Sequence, residues 1–259
     1  MNKVLMALVR RDLHKVFSLR TILIWGALSF IAIFFLYATS GKTVLLNENK
    51  VEYMALFLAQ IIFGAWAVLS IYFDLISSDR EQNVLDCVIC SGISKPVIFS
   101  SKIITLFVAS MILSFIYLTP VTTVAVFISS DPAHFFIIFK YFLPLWGYIM
   151  VYAALGITIS VIARSTKVAM ITCLALGLIL MPRFYYMIVD GLGNVLNMSQ
   201  STKNIVGMIS PGVMMDSMAS YAGTADYYTI IFVFLTSILL LISLALFVFK
   251  GQDELNYGG

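Results

Sequence analysis

The feature that most constrains this chain is a series of six long apolar stretches that carry almost no charge. A membrane-spanning α-helix needs about 20 apolar residues, because it rises about 1.5 Å per residue across a hydrocarbon core of about 30 Å. Within lipid, a helix satisfies its backbone hydrogen bonds internally. The sequence therefore predicts an all-α integral membrane protein with six transmembrane helices. The predicted spans are residues 21–40, 53–73, 103–130, 141–163, 168–189 and 227–249.

The composition excludes soluble classes of protein. Of the 259 residues, 61% are hydrophobic and 11% are charged, whereas a soluble domain carries about 25% charged residues. Such a chain cannot cover a soluble globule with polar surface. The net charge of +3 does not indicate nucleic acid as a partner, and three cysteines form no disulfide framework.

The fifth predicted span is interrupted near its end. Only 14 residues, 168–181, precede Pro182 and Arg183, and a segment of that length is too short to cross alone. Residues 184–189 complete the span. Arg183 then either anchors the chain at the outer headgroups beside two tyrosines or faces a substrate path.

The basic residues predict the orientation of the chain. Six spans place both termini on one side, and eleven of the sixteen Lys and Arg residues lie on that side. Because basic loops stay in the cytosol, both termini are predicted to be cytosolic, with a short tail at 250–259. The predicted location is the plasma (inner) membrane. The basic residues of the opposite side are Lys42, Lys50, Lys140, Arg183 and Lys203.

The predicted spans lack the residues that catalysis and ion coupling would need. Five of the six predicted spans contain no Asp, Glu, Lys, Arg or His, whereas proton-coupled carriers keep ionisable groups inside the bilayer. The two histidines, His14 and His134, fall on opposite sides of the membrane, so no intramembrane metal site is expected. The sequence predicts a protein that is not an enzyme and binds no cofactor.

Two stretches match known motifs only in part. Residues 40–43 end like a phosphate-binding loop, but Leu36 occupies the position of its first glycine, so the chain has no ATP site of its own. Cys87 and Cys90 have C-x-x-C spacing without a second pair of ligands. Packing of a helix is the favoured reading for these cysteines, and a redox role is the alternative.

Residues 1–20 are predicted to form an amphipathic helix at the cytosolic membrane face. Apolar residues such as Leu5, Val9 and Leu13 recur at helical spacing, and basic residues fill much of the remainder. A basic amphipathic segment beside a span lies in the membrane interface. Its role is membrane anchoring, with docking of a cytosolic partner as the alternative.

Residues 74–102 form the longest cytosolic connection and carry charges of both signs. Ser78 or Asp79 can cap a short helix, with Glu81 or Gln82 three residues on as the partner of the capping box. Leu85, Val88 and Ile89 then form one apolar stripe on that helix.

Signals for the end of this helix and the start of the next follow in the same connection. Gly92 ends the predicted helix, and Ser94-Lys95-Pro96 begin the next one. That helix runs through Lys102 into the third span. The short helix would therefore lie across the cytosolic mouth and fit a groove on another protein.

The sequence FDLISSDREQNVL at 73–85, followed by SGISKP at 91–96 and by Lys102, resembles the coupling segment of ABC-2-type transporter permeases. The layout is also similar over most of the chain: an amphipathic start, six spans and a long loop after the second. The sequence departs from the usual pattern at residues 83–84, where Gly-Thr is common, at Gly92, where proline is common, and at Ser101.

The resemblance implies one permease half of an ATP-binding cassette exporter. It implies a second permease chain, in a homodimer or heterodimer, and two copies of a separate cytosolic ATPase that binds ATP and magnesium. The uncharged interior favours a hydrophobic or amphipathic substrate: a peptide, a drug or a lipid-like molecule. The residues expected to contact the ATPase, as a coupling helix between spans 2 and 3, are Arg80, Glu81, Leu85, Asp86, Val88 and Ile89.

The outer segment 190–226 is similar to the short helices that dip back into the outer leaflet in this family; a loosely packed loop is the other reading. Two other functions stay open for the chain as a whole. One is a membrane scaffold or assembly subunit without transport, and the other is an ion channel or carrier.

Overall fold

A computed structural model of the chain describes residues 2–44, 53–129, 141–207, 209–220 and 226–256. Over these residues the secondary structure is helical and contains no β-strand. The helices are α1 (Asn2–Val16), α2 (Leu19–Val44), α3 (Tyr53–Tyr72), α4 (Ser77–Glu81), α5 (Val84–Cys90), α6 (Lys95–Ser129), α7 (Phe142–Ile162), α8 (Thr166–Ile179), α9 (Pro182–Val195), α10 (Gln200–Gly207), α11 (Pro211–Ser220) and α12 (Asp226–Asn256).

Five helices of the described chain are long and apolar enough to cross a membrane: α2, α3, α6, α7 and α12. Helices α8 and α9 pass the same test only as a pair, and they are bent by 73° relative to each other. The protein is therefore an all-α integral membrane protein with five spans, or six if the bent pair is one span.

The predicted fifth span at 168–189 is not one continuous helix. Helix α8 has 14 residues, which gives it a length of about 21 Å, short of a hydrocarbon core of about 30 Å. Pro182 is the first residue of α9, and proline lacks the N–H that would continue the helical ladder. The chain bends here, so α9 cannot extend the direction of α8.

Several predictions concern residues outside the described ranges. They include the end of the third span at residue 130, the outer-side Lys50 and Lys140, His134, and the last three residues of the tail. The side chain of Lys42 also falls outside the description.

Helix α7 is the most buried of the long helices and packs against α3, α6 and α12. Glycines allow this close approach, because small residues let helix backbones come together in a membrane. A Cβ atom at Gly147 would lie 2.9 Å from Cδ2 of Phe234 on α12, and one at Gly156 would lie 3.1 Å from Cβ of Tyr72 on α3. The bundle is thus built around α7.

Helix α11 returns to the bundle and packs against α3, α7 and α12. Its Val213 and Met215 are buried. The backbone N–H of Gly212 donates to the hydroxyl of Tyr152 (3.2 Å), and the hydroxyl of Ser210 donates to the carbonyl of Leu180 (3.2 Å). A loosely packed loop is therefore the wrong reading for this part of the outer segment.

Candidate coupling site

The connection between α3 and α6 forms two short helices instead of the one that the sequence predicts. Helix α4 ends at Glu81, Asn83 adopts a left-handed conformation with φ of 56°, and α5 begins at Val84. Asparagine tolerates this conformation better than most residues. We call the end of the bundle that carries α1, α4 and α5 the charged end.

The predicted side-chain cap is wrong, because neither α4 nor α5 has a capping hydrogen bond from a side chain. The candidate residues are engaged elsewhere. The hydroxyl of Ser78 donates to the carbonyl of Asp74 (2.6 Å), and the carboxylate of Asp79 binds cations from other helices. The predicted features that follow are present: α5 ends at Cys90, Gly92 has φ of 82°, and α6 begins at Lys95 and runs through Lys102.

A buried ion pair network lies at the charged end. Nζ of Lys102 on α6 donates to Asp12 on α1 (2.9 Å), to Asp79 on α4 (2.7 Å) and to the carbonyl of Leu75 (2.8 Å). The exposed fractions of Lys102, Asp12 and Asp79 are 1%, 0% and 2%. Buried charges are retained only when they are paired and hydrogen-bonded, so these three residues hold α1, α4 and α6 in one arrangement.

Two further cations of α1 complete this network from its solvent side. Arg11 donates to Asp12 (2.9 Å) and to Asp79 (2.7 Å), and Lys15 binds Asp79 and Ser78. Burial alone would lower the pKa of the Arg11 guanidinium, but the two carboxylates outweigh it and raise that pKa above its usual value. We call Arg11, Asp12, Lys15, Asp79 and Lys102 the ion cluster.

Helix α4 also binds the end of α7. The hydroxyl oxygen of Ser160 accepts hydrogen bonds from the backbone N–H groups of Ile76 (3.0 Å) and Ser77 (2.8 Å). The Arg80 guanidinium donates to the carbonyls of Ala163 (3.0 Å) and Val161 (3.1 Å). Val161 lies in the last turn of α7 and Ala163 directly follows the helix, and a cation is favoured at this end of a helix.

The adjoining residue of α4 reaches α8. The carboxylate of Glu81 accepts a hydrogen bond from the backbone N–H of Thr166 (3.2 Å), the first residue of α8. An anion is stabilised at this end of a helix. The five residues of α4 are thus bonded to α1, α6, α7 and α8, so this short helix connects four others.

The structure places the predicted contact residues on two sides of α4 and α5. Arg80 is half-buried and binds the end of α7, and Glu81 is exposed and binds the start of α8. On α5, the apolar stripe turns towards the body of the chain: Leu85 packs against the core, and Val88 and Ile89 are half-buried. Asp86 lies on the opposite, exposed face of the same helix.

Cys87 and Cys90 share that exposed face with Asp86. The prediction that these cysteines pack a helix is therefore wrong for the single chain, since the apolar stripe alone faces the core. The outer surface of α5 is formed by a carboxylate and two thiols.

Arg183 lies away from this site, at the start of α9. Its side chain is exposed on one edge of the helix with Asp190 and Asn194, which follow at helical spacing. A separate exposed face of α9 is apolar and includes Phe184, Ile188 and Val195. A helix with polar and apolar exposed faces is typical of a membrane interface, which favours the anchoring role of Arg183.

Sequence reasoning missed Asp12 and Ser160, and it named Lys102 as part of the coupling segment without assigning it a contact. A signal for Asp12 is present, because it falls on the helical face that also carries Leu8, Val9 and Val16, and all of these are buried. A carboxylate in that position requires a buried cation. Over the described ranges, no three His, Cys, Asp or Glu side chains come together in a way that would hold a metal ion.

Comparison with known protein families covers nearly the whole chain. The sequence model described as "ABC-2 family transporter protein" matches residues 6–254, which extend from α1 into α12 and include the ion cluster, α4 and α5. No curated protein matches the sequence.

Proposed function

The chain belongs to the ABC-2 family of transporter proteins and is a permease subunit of an ABC transporter, and we propose that it serves an exporter driven by a separate cytosolic ATPase. Two ATPase subunits would bind ATP and magnesium, and a second permease chain, identical or related, would complete the membrane domain. The substrate would be a hydrophobic or amphipathic peptide, drug or lipid-like molecule leaving the cytosol.

The proposed orientation places the charged end in the cytosol. Arg80 precedes α6, Lys95 begins it and Lys102 lies in its first turns, and Arg164 and Lys167 flank the turn between α7 and α8. Basic residues in short loops favour the cytosolic side. Both termini would then be cytosolic in a plasma membrane, and α9 would lie at the outer face.

The proposed ATPase contact is the exposed surface of α5 with the adjoining Glu81. Asp86, Cys87 and Cys90 form the exposed face of α5, and the exposed edges of Val88 and Ile89 border it. Arg80 and Leu85 would support this contact from the side that faces the bundle, because Arg80 binds the end of α7 and Leu85 packs against the core.

The observation that carries this proposal is the set of bonds made by α4. An ATPase that pushes α5 also pushes α4, and α4 is bonded to four other helices through the ion cluster, Ser160, Arg80 and Glu81. Packed elements with two arrangements pass such movements between distant sites. Closure of the ATPase subunits would in this way reposition α6, α7 and α8.

The proposed substrate class follows from the interior of the bundle. Beyond Lys102, the described part of α6 has no ionisable Asp, Glu, Lys, Arg or His, and α7 has none. Buried polar groups such as Gln60, Thr105 and Ser114 are neutral. A path lined in this way offers no partner for a buried charge.

The test is co-purification of the ATPase with charge-reversal variants of the permease. We expect Asp86→Lys to reduce the amount of bound ATPase and its permease-dependent hydrolysis of ATP, because the exposed face of α5 changes its charge. Asp190→Lys is the matched control, since Asp190 is also an exposed carboxylate on a helix, α9, and it should leave both quantities unchanged. Full ATPase binding by Asp86→Lys would contradict the proposed contact.

Transport itself separates the proposal from the other functions. Proteoliposomes that contain the complete complex should move an amphipathic substrate only when ATP is present. A complex that binds the ATPase without transport would be a scaffold, and ion conductance without ATP would identify a channel.

A further inference from the structure

Helix α1 borders a shallow, open groove of about 500 Å³, and of its lining residues only Arg11 belongs to the ion cluster. The groove is lined by Met6, Ala7, Arg10, Arg11 and His14. These residues lie along one face of a single helix, so the groove is a shallow surface that combines two guanidinium groups and an imidazole with the side chains of Met6 and Ala7.

The groove lies on the side of α1 that faces away from the bundle. Leu8, Val9 and Val16 are buried, and α1 packs with α6. Arg10 and His14 lie on the opposite, exposed face. The one acidic residue of α1, Asp12, is fully buried in the ion cluster and binds Arg11 there (2.9 Å), so α1 offers no exposed carboxylate to Arg10 or His14.

The position of α1 relative to the membrane follows from the start of α2. Leu19, Ile22 and Leu23 have exposed fractions of 72%, 59% and 63%, and such apolar side chains on a membrane-spanning helix face hydrocarbon. Helix α1 ends at Val16, less than one helical turn before Leu19. Arg10 and His14 lie within six residues of Val16, about 9 Å along the helix, and so lie within reach of the lipid headgroups at this boundary.

We propose that this groove binds the phosphate of an anionic phospholipid from the adjacent leaflet. Arg10 and Arg11 would donate to the phosphate oxygens, His14 would border them, and Met6 and Ala7 would contact the glycerol and the first methylene groups. Basic residues beside a membrane surface attract anionic lipids. An arginine fork matches the geometry of a phosphate.

Arg11 links the groove to the ion cluster. Its Nε and Nη2 atoms donate to Asp12 and Asp79, whereas Nη1 carries two further N–H donors. A bound phosphate would hold the guanidinium between the lipid and the two carboxylates. The lipid composition of the leaflet would thereby affect the contacts between α1 and α4. This inference concerns lipid binding by the single chain and does not depend on an ATPase.

The experiment is a titration of the purified full-length chain with phosphatidylglycerol in mixed micelles, with bound lipid counted by native mass spectrometry. Phosphatidylcholine is the neutral comparison. We expect preferential binding of phosphatidylglycerol, and Arg10→Gln should weaken it about fivefold, which corresponds to about 1 kcal/mol for one basic residue at an anionic surface. Arg11 is left intact, because its loss would also break the ion cluster.

The control removes two cations from the same end of the protein. Arg164→Gln/Lys167→Gln changes exposed residues of the turn between α7 and α8 and should alter phosphatidylglycerol affinity less than twofold. Unchanged thermal unfolding of Arg10→Gln would verify the fold.

Three results would overturn the proposal. The first is equal binding of phosphatidylglycerol and phosphatidylcholine. The second is a loss of phosphatidylglycerol affinity in Arg164→Gln/Lys167→Gln as large as that in Arg10→Gln. The third is loss of a bound protein partner from Arg10→Gln with lipid binding intact. The last result would assign the groove to an acidic protein surface instead.

Discussion

Replacement of Lys102 by methionine tests the ion cluster most severely. Methionine keeps the length and much of the volume of the lysine stem but removes the ammonium group. The variant loses the bonds from Nζ to Asp12, Asp79 and the carbonyl of Leu75. Two carboxylates that are almost completely buried then remain beside a thioether.

The expected loss of stability is large. Removing one partner of a buried ion pair costs about 3–5 kcal/mol, because the remaining charge is left without compensation. Arg11 and Lys15, each about one-third exposed, still contact the carboxylates and offset part of this loss. We therefore expect Lys102→Met to lower the free energy of unfolding by about 3 kcal/mol, the lower end of that range.

The assay is equilibrium unfolding of the purified chain in detergent micelles, followed by tryptophan fluorescence. Lys250→Met is the control, because Lys250 is exposed near the end of α12 and a surface substitution changes stability by about 0.5 kcal/mol or less. In the double variant Asp12→Asn/Lys102→Met, the loss should be smaller than the sum of the two single losses by about 1–3 kcal/mol. A loss for Lys102→Met no larger than that for Lys250→Met would refute the reasoning.

Two further predictions concern the packing of α4 and α8. Ser160→Ala removes the acceptor of two backbone N–H groups and should lower the free energy of unfolding by about 1–3 kcal/mol. The control Ser91→Ala changes an exposed hydroxyl and should lower it by about 0.5 kcal/mol or less. Equal losses would contradict the role of Ser160. Gly177→Ala should destabilise the protein by about 1–3 kcal/mol, because the new Cβ atom would lie 2.9 Å from the Cα of Trp66. In the control Gly26→Ala the Cβ atom has no neighbour within 4 Å, so this variant should be neutral or stabilising. A neutral Gly177→Ala would show that α8 and α3 separate without cost.

The fold class was predictable from the sequence, because span length and the absence of charge are properties of short continuous segments. The start of α6 was predictable for the same reason, since Ser94, Lys95 and Pro96 form a local signal. The bend before Pro182 was only partly predictable. The proline marked the interruption, but the angle depends on how α9 and α11 pack around it.

The ion cluster was not predictable from local patterns, because Asp12 and Lys102 are 90 residues apart in the sequence. The division between α4 and α5 was missed for another reason. Gln82 and Asn83 do not exclude a helix, and their local pattern does not signal the left-handed conformation of Asn83. The apolar stripe of α5 was identified from its spacing, but that spacing did not show which surface it covers.

The contact between α5 and the ATPase is the claim on which the proposed function rests, and the chain's own cysteines provide its most direct test. In a Cys90→Ser variant, Cys87 is exposed and Cys173 is buried, so a photoreactive maleimide should label Cys87. Irradiation of the labelled permease with its bound ATPase is predicted to give a covalent permease–ATPase adduct whose yield changes when ATP is added. Bound ATPase that gives no adduct with Cys87, but does so with a label at Val195→Cys on α9, would contradict the account.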